Sequence, residues 1–192
     1  MTLTGVPATT RRIPGEAGIW VFVLGDMAVF ALFFGTFMYS RGRNPSQFIS
    51  GHGALSVAMG TVNTVVLLTS SLLVALGVSR LAENRAGARR LFGGALGCGL
   101  VFVLIKVAEW THLFAGGITV GTSEYFSYYY MFTGIHLGHV VIGLIILARL
   151  CGVAGRGALD VKQRRFVEIG GIFWHMVDLL WVVLFALFYL VR

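Results

Sequence analysis

Charged side chains are scarce in this sequence, because Asp, Glu, Lys and Arg together make up only 12% of its 192 residues. A soluble domain carries roughly 25% charged and about 45–50% apolar residues, so this composition excludes an ordinary soluble domain. Cysteine is scarce as well, and Cys98 and Cys151 lack the spacing of a metal site or of a disulfide framework. We therefore expect both cysteines to be packing residues.

Apolar residues make up 57% of the chain instead, and they cluster in five continuous stretches. A transmembrane helix needs about 20 mostly apolar residues, whereas a barrel strand alternates between apolar and polar residues. The predicted spans are Ile19–Tyr39, Ala54–Val78, Leu91–Leu113, Phe126–Leu150 and Phe166–Val191. Ser40–Gly53 is predicted to turn the chain between the first two spans. The sequence therefore predicts an all-α integral membrane bundle of five transmembrane helices, in which residues 1–192 form a single membrane domain.

The net charge of +7 comes from basic residues that lie mostly on one side of the predicted bundle. The side of the N-terminus carries eleven of them: Arg11, Arg12, Arg80, Arg85, Arg89, Arg90, Arg149, Arg156, Lys162, Arg164 and Arg165. The opposite side carries Arg41, Arg43 and Arg192. By the positive-inside rule we expect a multi-pass protein of a bacterial-type inner (cell) membrane, with a cytoplasmic N-terminus and a periplasmic or extracellular C-terminus. Anionic phospholipids are sufficient partners for the basic side, and no nucleic acid is expected.

The candidate functional residues are the ionisable side chains inside the spans, because each costs at least a few kcal/mol to place in the bilayer. They are Asp26, Lys106, Glu109, His136, His139, His175 and Asp178. Asp26 lies roughly 10 Å into the first span, toward the cytoplasmic side, and no cation lies three or four residues away. It is either a protonated carboxyl that bonds Asn63 or a Ser/Thr of the second span, or a proton-handling group.

The other six ionisable residues form three pairs with i,i+3 spacing. Lys106 and Glu109 are predicted to form a structural ion pair, and contact of the lysine with lipid headgroups is the alternative. His136 with His139, and His175 with Asp178, could contribute metal ligands, but a site needs matched ligands at the same depth. Interhelical hydrogen bonds are the favoured interpretation of both pairs. We expect no catalytic residue, no metal site and no cofactor in this chain.

Five motifs occur in the order found in one known family. The stretch WVFVLGDMAVFALFF carries Asp26, NTVVLLTSSLLVALG begins at Asn63, and Lys106–Trp110 is similar to Q-x-x-E-Y. Thr133–Val140 is similar to T-G-F-H-G-L-H-V, and Trp174–Trp181 is similar to W-H-F-V-D-V-V-W. With these motifs the chain resembles subunit III of the heme–copper oxidases, the cytochrome c oxidase family, in its five-helix form. Asp26 stands where that family usually has Glu, Lys106 stands where it usually has Gln, and Leu137-Gly138 reverses the order of Gly and Leu.

The resemblance implies a non-catalytic accessory subunit of an aerobic respiratory terminal oxidase, with heme and copper in partner subunits. It implies that the chain stabilises the heme-bearing catalytic subunit and supports proton uptake through Asp26. The other six membrane residues are then lipid or structural contacts.

Three further functions stay open at this point. Pro14-Gly15-Glu16 with Gly25-Asp26 resembles the subunit-III-like accessory proteins of nitric oxide reductases. An independent proton-linked transporter could use Asp26 and Asp178. An enzyme with a histidine-ligated metal is the last alternative.

Overall fold

The computed structural model describes residues 17–53, 55–156 and 159–191, and throughout these residues the regular structure is helical, without strands. The helices are α1 (Ala17–Arg43), α2 (Pro45–His52), α3 (Val57–Arg80), α4 (Arg85–Ala115), α5 (Glu124–Ala154) and α6 (Val161–Phe185), followed by a π-helical segment (Ala186–Leu190). Five of the described helices are long and apolar enough to cross a membrane, which confirms the predicted all-α membrane bundle. Arg11, Arg12, Pro14, Gly15, Glu16 and Arg192 lie outside the described residues.

Four of the spanning helices form a closed ring. Helix α3 packs along α4, α4 along α5 and α5 along α6, and α6 returns to contact α3. Helix α1 lies outside this ring against α6 and α5, where Phe33 stacks on Phe132 with ring centroids 5.6 Å apart. In the most apolar 18 residues of each span, 61% of the residues are buried in the span of α6 and only 17% in that of α1. Helix α6 is therefore the central helix of the bundle.

Side-chain caps explain where several helices begin. Ser56, Asn84 and Ser123 each accept a hydrogen bond from a backbone N–H of the first turn, at the starts of α3, α4 and α5. Asp160 and Gln163 form a capping box at the start of α6. Such caps satisfy N–H groups that the helix itself leaves without partners, and each contributes about 0.5–2 kcal/mol.

Trp174 of α6 sets the spacing of the ring. A Cβ atom added at Gly143 of α5 would lie 2.6 Å from the Trp174 ring, and one added at Gly99 of α4 would lie 3.0 Å from it. Trp174 is fully buried. The two glycines therefore provide the space in which the indole lies between three helices, in the manner of small residues at membrane helix contacts.

The segment predicted to turn the chain between the first two spans contains a short helix. Helix α1 continues to Arg43, and Pro45 then begins α2, a position in which proline's fixed φ angle suits a helix. The Phe48 ring packs 5.2 Å from that of Phe37. Because the buried Phe48 ties the segment to the core, glycine content alone was a poor guide to its structure.

The π-helical segment ends α6 at the same side of the bundle as α2. Backbone carbonyls of this segment bond side chains from elsewhere: the Tyr125 hydroxyl donates to Phe188 O at 2.9 Å, and His52 Nε2 lies 2.9 Å from Tyr189 O. These bonds hold the end of α6 against α5 and α2, and they fix the position of the Tyr189 side chain.

Candidate functional site

Asp26 pairs with a histidine of the fourth spanning helix. Its Oδ1 lies 3.3 Å from His139 Nε2, and each side chain is 16% exposed. This partner is neither Asn63 nor a Ser or Thr of the second span, the partners expected for a structural Asp26. The buried amide of Asn63 has no hydrogen-bond partner among the described residues. Phe30 lies 6.0 Å from the His139 ring, so the pair has an aromatic neighbour.

The surroundings of His139 bear on where a proton lies in this pair. Its Nδ1 lies 3.0 Å from the Ile135 carbonyl oxygen, and a carbonyl only accepts, so Nδ1 carries a proton. Nε2 of a neutral ring would then be an acceptor that faces another acceptor, the Asp26 carboxylate. A proton between Oδ1 and Nε2 removes this conflict, whether it resides on the acid or on the imidazole. The geometry therefore places an acid and a base within 3.3 Å of each other, where one proton could pass between them.

A second polar cluster lies inside the bundle, around Lys106. Its Nζ lies 2.7 Å from Glu109 Oε2, 2.8 Å from the Tyr189 hydroxyl and 3.1 Å from the Tyr129 hydroxyl. Lys106 is 1% exposed, and its ammonium lies 4.8 Å from the Trp181 ring centroid. These three oxygens can accept all three ammonium protons, and the aromatic faces add cation–π attraction. The lysine therefore does not extend to the lipid headgroups.

Tyr129 and Tyr189 were not predicted as members of this cluster. Tyr189 donates to Glu109 at 2.7 Å and thereby joins the π-helical segment to α4. Their sequence neighbours are apolar or aromatic, and no spacing rule connects residues of α4, α5 and the end of α6. The one available signal was the cost of the buried charges of Lys106 and Glu109, which demands polar partners.

The remaining predicted residues lie on α5 and α6. His136 is 1% exposed and packs against the Phe102 and Trp181 rings, and neither nitrogen of its imidazole has a partner among the described residues. His175 Nδ1 lies 2.6 Å from the Ser71 hydroxyl of α3. Asp178 is 4% exposed, and its two carboxyl oxygens have no hydrogen-bond partner within the described ranges.

These histidines do not fit a bound heme or metal. His136 is 1% exposed, and the Phe102 and Trp181 rings lie 5.8 and 5.3 Å from its ring, so a macrocycle has no space there. His139 and His175 each direct a nitrogen at a protein oxygen. Among the residues that the structure describes, no three His, Cys, Asp or Glu side chains are placed to hold a metal ion.

A basic cavity lies where α4 begins and α5 ends. It has a volume of about 550 Å³, and its lining includes Arg85, Arg89, Arg90 and Arg156. Arg85 Nη1 donates to the Arg156 carbonyl at 3.4 Å, which connects the two helix ends. The cavity combines several guanidinium groups with an open entrance, an arrangement suited to a phosphate group.

Comparisons with known proteins agree with the order of the motifs. The family model for cytochrome c oxidase subunit III matches residues 2–191. The chain is 29% identical over 175 residues to cytochrome c oxidase subunit 3 of Synechocystis sp., which covers 90% of this chain and 74% of the relative. It is 30% identical over 183 residues to the probable cytochrome c oxidase subunit 3 of Mycobacterium leprae, which covers 92% of this chain and 88% of the relative.

A longer relative carries the similar region as part of a larger protein. The heme-copper oxidase subunit I+III of Aeropyrum pernix is 28% identical over 185 residues, which is 92% of this chain. The chain spans only 22% of the length of that relative.

Proposed function

The chain belongs to the cytochrome c oxidase subunit III family, and from this membership we propose that it is an accessory, non-catalytic subunit of an aerobic respiratory heme–copper terminal oxidase. In this role it stabilises the catalytic subunit and supports proton uptake. The heme and copper belong to partner subunits. The observation that supports the proton role is the contact of Asp26 Oδ1 with His139 Nε2 at 3.3 Å, at the position of the family's membrane acid.

The relative of Aeropyrum pernix supports the assignment to a complex, since its name joins subunits I and III in one protein. A region similar to this chain there forms part of a larger oxidase polypeptide. In the present protein the same association would occur between separate chains within the membrane.

Isolation of the intact complex tests this function. The tagged chain, extracted from native membranes in mild detergent, should copurify with a heme-bearing subunit, and the heme spectrum and copper content of that complex should identify an oxidase. A complex with heme but without copper would assign the chain to a nitric oxide reductase instead. Recovery of the chain without any heme protein, as expected of an independent transporter, would overturn the proposal.

We predict that Asp26 reacts preferentially with a hydrophobic carbodiimide, since this reagent needs a protonated carboxyl in an apolar setting. Asp26 is 16% exposed at the outer surface of the bundle, where the reagent can reach it. Asp178 is only 4% exposed and serves as the control carboxyl within the same chain. Labelling would be mapped by peptide mass spectrometry of the intact complex. A label on Asp178 in place of Asp26 would contradict the shared-proton description.

Asp26→Asn should leave the complex assembled while turnover or proton uptake falls by less than about tenfold. A group that acts directly in acid–base catalysis contributes more, about 10²–10⁴-fold, and this pair only supports the chemistry. Asp26→Glu, which places the family's usual acid at this position, should restore the rate. If Asp26→Asn abolishes assembly, the pair is a link between α1 and α5; if it changes neither turnover nor proton uptake, the pair has no role in proton uptake.

The basic cavity is proposed to hold the headgroup of an anionic phospholipid in the cytoplasmic leaflet. The structure describes nine of the eleven basic residues that were predicted on the cytoplasmic side. They lie at or next to the ends of α3 to α6, on the same side of the bundle as the cavity. Each basic group near a charged membrane surface contributes about 1 kcal/mol of attraction. The open Arg85, Arg89 and Arg156 side chains would surround the phosphate.

The double variant Arg85→Ala/Arg89→Ala should release phosphatidylglycerol from the purified complex, measured by native mass spectrometry. The variant Lys162→Ala, outside the cavity, should not release it.

The orientation of the chain in the membrane is tested by cysteine labelling. In intact cells an impermeant maleimide should label Val120→Cys, in the loop before α5, and leave Ala82→Cys, in the loop before α4, unlabelled. The reverse labelling would place the cavity in the opposite leaflet.

A further inference from the structure

Helix α1 is attached firmly to the bundle at its C-terminal end. There Ser40 Oγ and Asn44 Nδ2 donate hydrogen bonds to the carboxylate of Glu124, in the first turn of α5. The Phe37 ring of α1 is 1% exposed and lies 5.1 Å from the ring of Phe188, in the π-helical segment. These hydrogen bonds and aromatic contacts fix this end of α1 against α5 and the end of α6.

The N-terminal half of α1 is attached less firmly. The residues of α1 that face the ring follow one stripe, which consists of Ile19, Val23, Asp26, Phe30, Phe33 and Phe37. In the N-terminal half Val23 is buried and the Phe22 ring lies 6.1 Å from that of Phe173, but Val21 is 73% exposed and Leu24 64%. Apolar contacts give a membrane helix little advantage over contact with lipid tails, which are equally apolar. The polar contact of Asp26 therefore has a large share in holding this half of α1 to the ring.

One proton decides whether the contact between Asp26 and His139 attracts or repels. Because His139 Nδ1 donates to the Ile135 carbonyl, Nε2 of a neutral imidazole presents a lone pair to Asp26 Oδ1, 3.3 Å away. With a proton on either atom the contact is a hydrogen bond or an ion pair. Without it, two acceptors face each other, and Asp26 Oδ2 is buried with no other donor among the described residues. Unpaired acceptors in such a place cost free energy, and separation of the two side chains relieves that cost.

The neighbouring titratable groups do not replace this proton. On α5, His136 lies one turn before His139 and acts on it through charge alone. Helix α6 faces the imidazole with the Phe173 ring, 6.5 Å away, whereas its His175 and Asp178 are directed to a serine of α3. Within the described ranges, neither member of the pair has a second ion-pair partner. The strength of the link therefore depends on the pair's own proton.

We propose that the proton of the Asp26–His139 pair controls the position of the N-terminal half of α1. While the pair holds the proton, this half lies against α5 and α6. When the proton passes to water, the half moves away from the ring, and the C-terminal end of α1 stays fixed by its contacts with Glu124 and Phe188. The attachment is thus complete at low pH and is lost as the pH rises.

The movement also provides a route by which the proton is replaced. Asp26 lies roughly 10 Å from the start of the predicted span, so a gap between α1 and the ring would admit water from the nearer membrane surface. A free carboxylate in the bilayer needs such water, and protonation of the pair closes the gap again. This device goes beyond the proposed function, because it concerns a movement within this chain and needs no partner subunit.

Electron spin resonance distance measurements on the full chain in lipid nanodiscs test the movement. Nitroxide labels would be placed at Gly18→Cys and Ala82→Cys, two exposed positions on the same side of the membrane, in a background with Cys98→Ala and Cys151→Ala. A Cβ atom at Gly18 meets nothing within 4 Å, so the label does not disturb the packing. The distance between the labels should lengthen by several ångströms, and its distribution should broaden, as the pH is raised.

A reference pair and two variants complete the experiment. Labels at Tyr39→Cys and Val120→Cys, at the fixed end of α1, should keep one distance at every pH. Asp26→Asn should keep the Gly18–Ala82 distance short at every pH, since its amide donates to His139 Nε2 without titrating. His139→Gln should do the same, because its amide can donate to the Asp26 carboxylate.

Four results would overturn the proposal. They are a distance that does not respond to pH in the parent chain, an equal response in either variant, a long distance at every pH in both variants, and a matching change at the reference pair. None of these measurements involves copurification or turnover. Their failure therefore leaves the accessory role intact, and a chain recovered without a heme-bearing partner could still show the movement.

Discussion

Lys106→Ala should lower the free energy of unfolding by about 3–5 kcal/mol, the cost of breaking a buried ion pair by removal of one partner. The substitution leaves Glu109, which is 4% exposed, without the ammonium that lies 2.7 Å from it. The Tyr189 hydroxyl still donates to the carboxylate but carries no charge to neutralise it. The unfolding of the purified chain in detergent, followed by circular dichroism, measures the effect.

Companion variants separate the charge from the packing. The double variant Lys106→Met/Glu109→Met removes both charges and should be markedly more stable than either single variant, because a buried pair replaced by apolar residues of similar volume is often neutral. Lys106→Gln, which introduces the residue usual in the family, should lie between wild type and Lys106→Ala. Arg90→Ala, at the exposed start of α4, controls for the loss of a positive charge. A cost for Lys106→Ala no larger than that of Arg90→Ala would refute the prediction.

The number of spanning helices could be predicted because it depends on a local quantity. A run of about 20 apolar residues is favoured in the bilayer whatever surrounds it, so composition alone sufficed for the five helices. The ends of the helices were harder to predict. Helix α4 begins at Arg85, six residues before the apolar run, because Asn84 accepts a hydrogen bond from Gly87 N at 2.8 Å. Capping and surface arginines extend a helix into the interface, and a hydropathy pattern does not register either.

The partners of the candidate residues could be predicted only where they lie on the same helix. Lys106 and Glu109 are three residues apart, and helix geometry alone brings them together. Asp26 and His139 are far apart in sequence, and their contact depends on where α1 lies against α5. A carboxyl inside a span indicated that Asp26 needed a partner. A single sequence, however, does not show which two helices pack against each other. For that reason the sequence pointed to Asn63 or a Ser/Thr of the second span and not to His139.

Gly143→Val should prevent normal packing of α6 and destabilise the bundle by at least about 1–3 kcal/mol, the usual cost of overpacking a core. The first added atom would already lie 2.6 Å from two carbon atoms of the Trp174 ring. That ring has little room to move aside, because it is fully buried in the bundle. Loss of complex in purified membranes and a lower unfolding temperature would both report the effect.

Gly138→Val provides the matched control on the same helix, since a Cβ atom at Gly138 meets nothing within 4 Å. Both substitutions insert the same β-branched residue into α5, so any general loss of helix propensity is common to the two. Only the variant at position 143 should be rescued by Trp174→Leu, which frees the space that the new side chain needs. Equal unfolding temperatures for the two glycine variants, or failure of Trp174→Leu to restore any stability, would mean that Trp174 does not set the spacing of α4, α5 and α6. A selective rescue would establish that the glycine positions and the indole act as one packing unit, independently of every polar residue in the bundle.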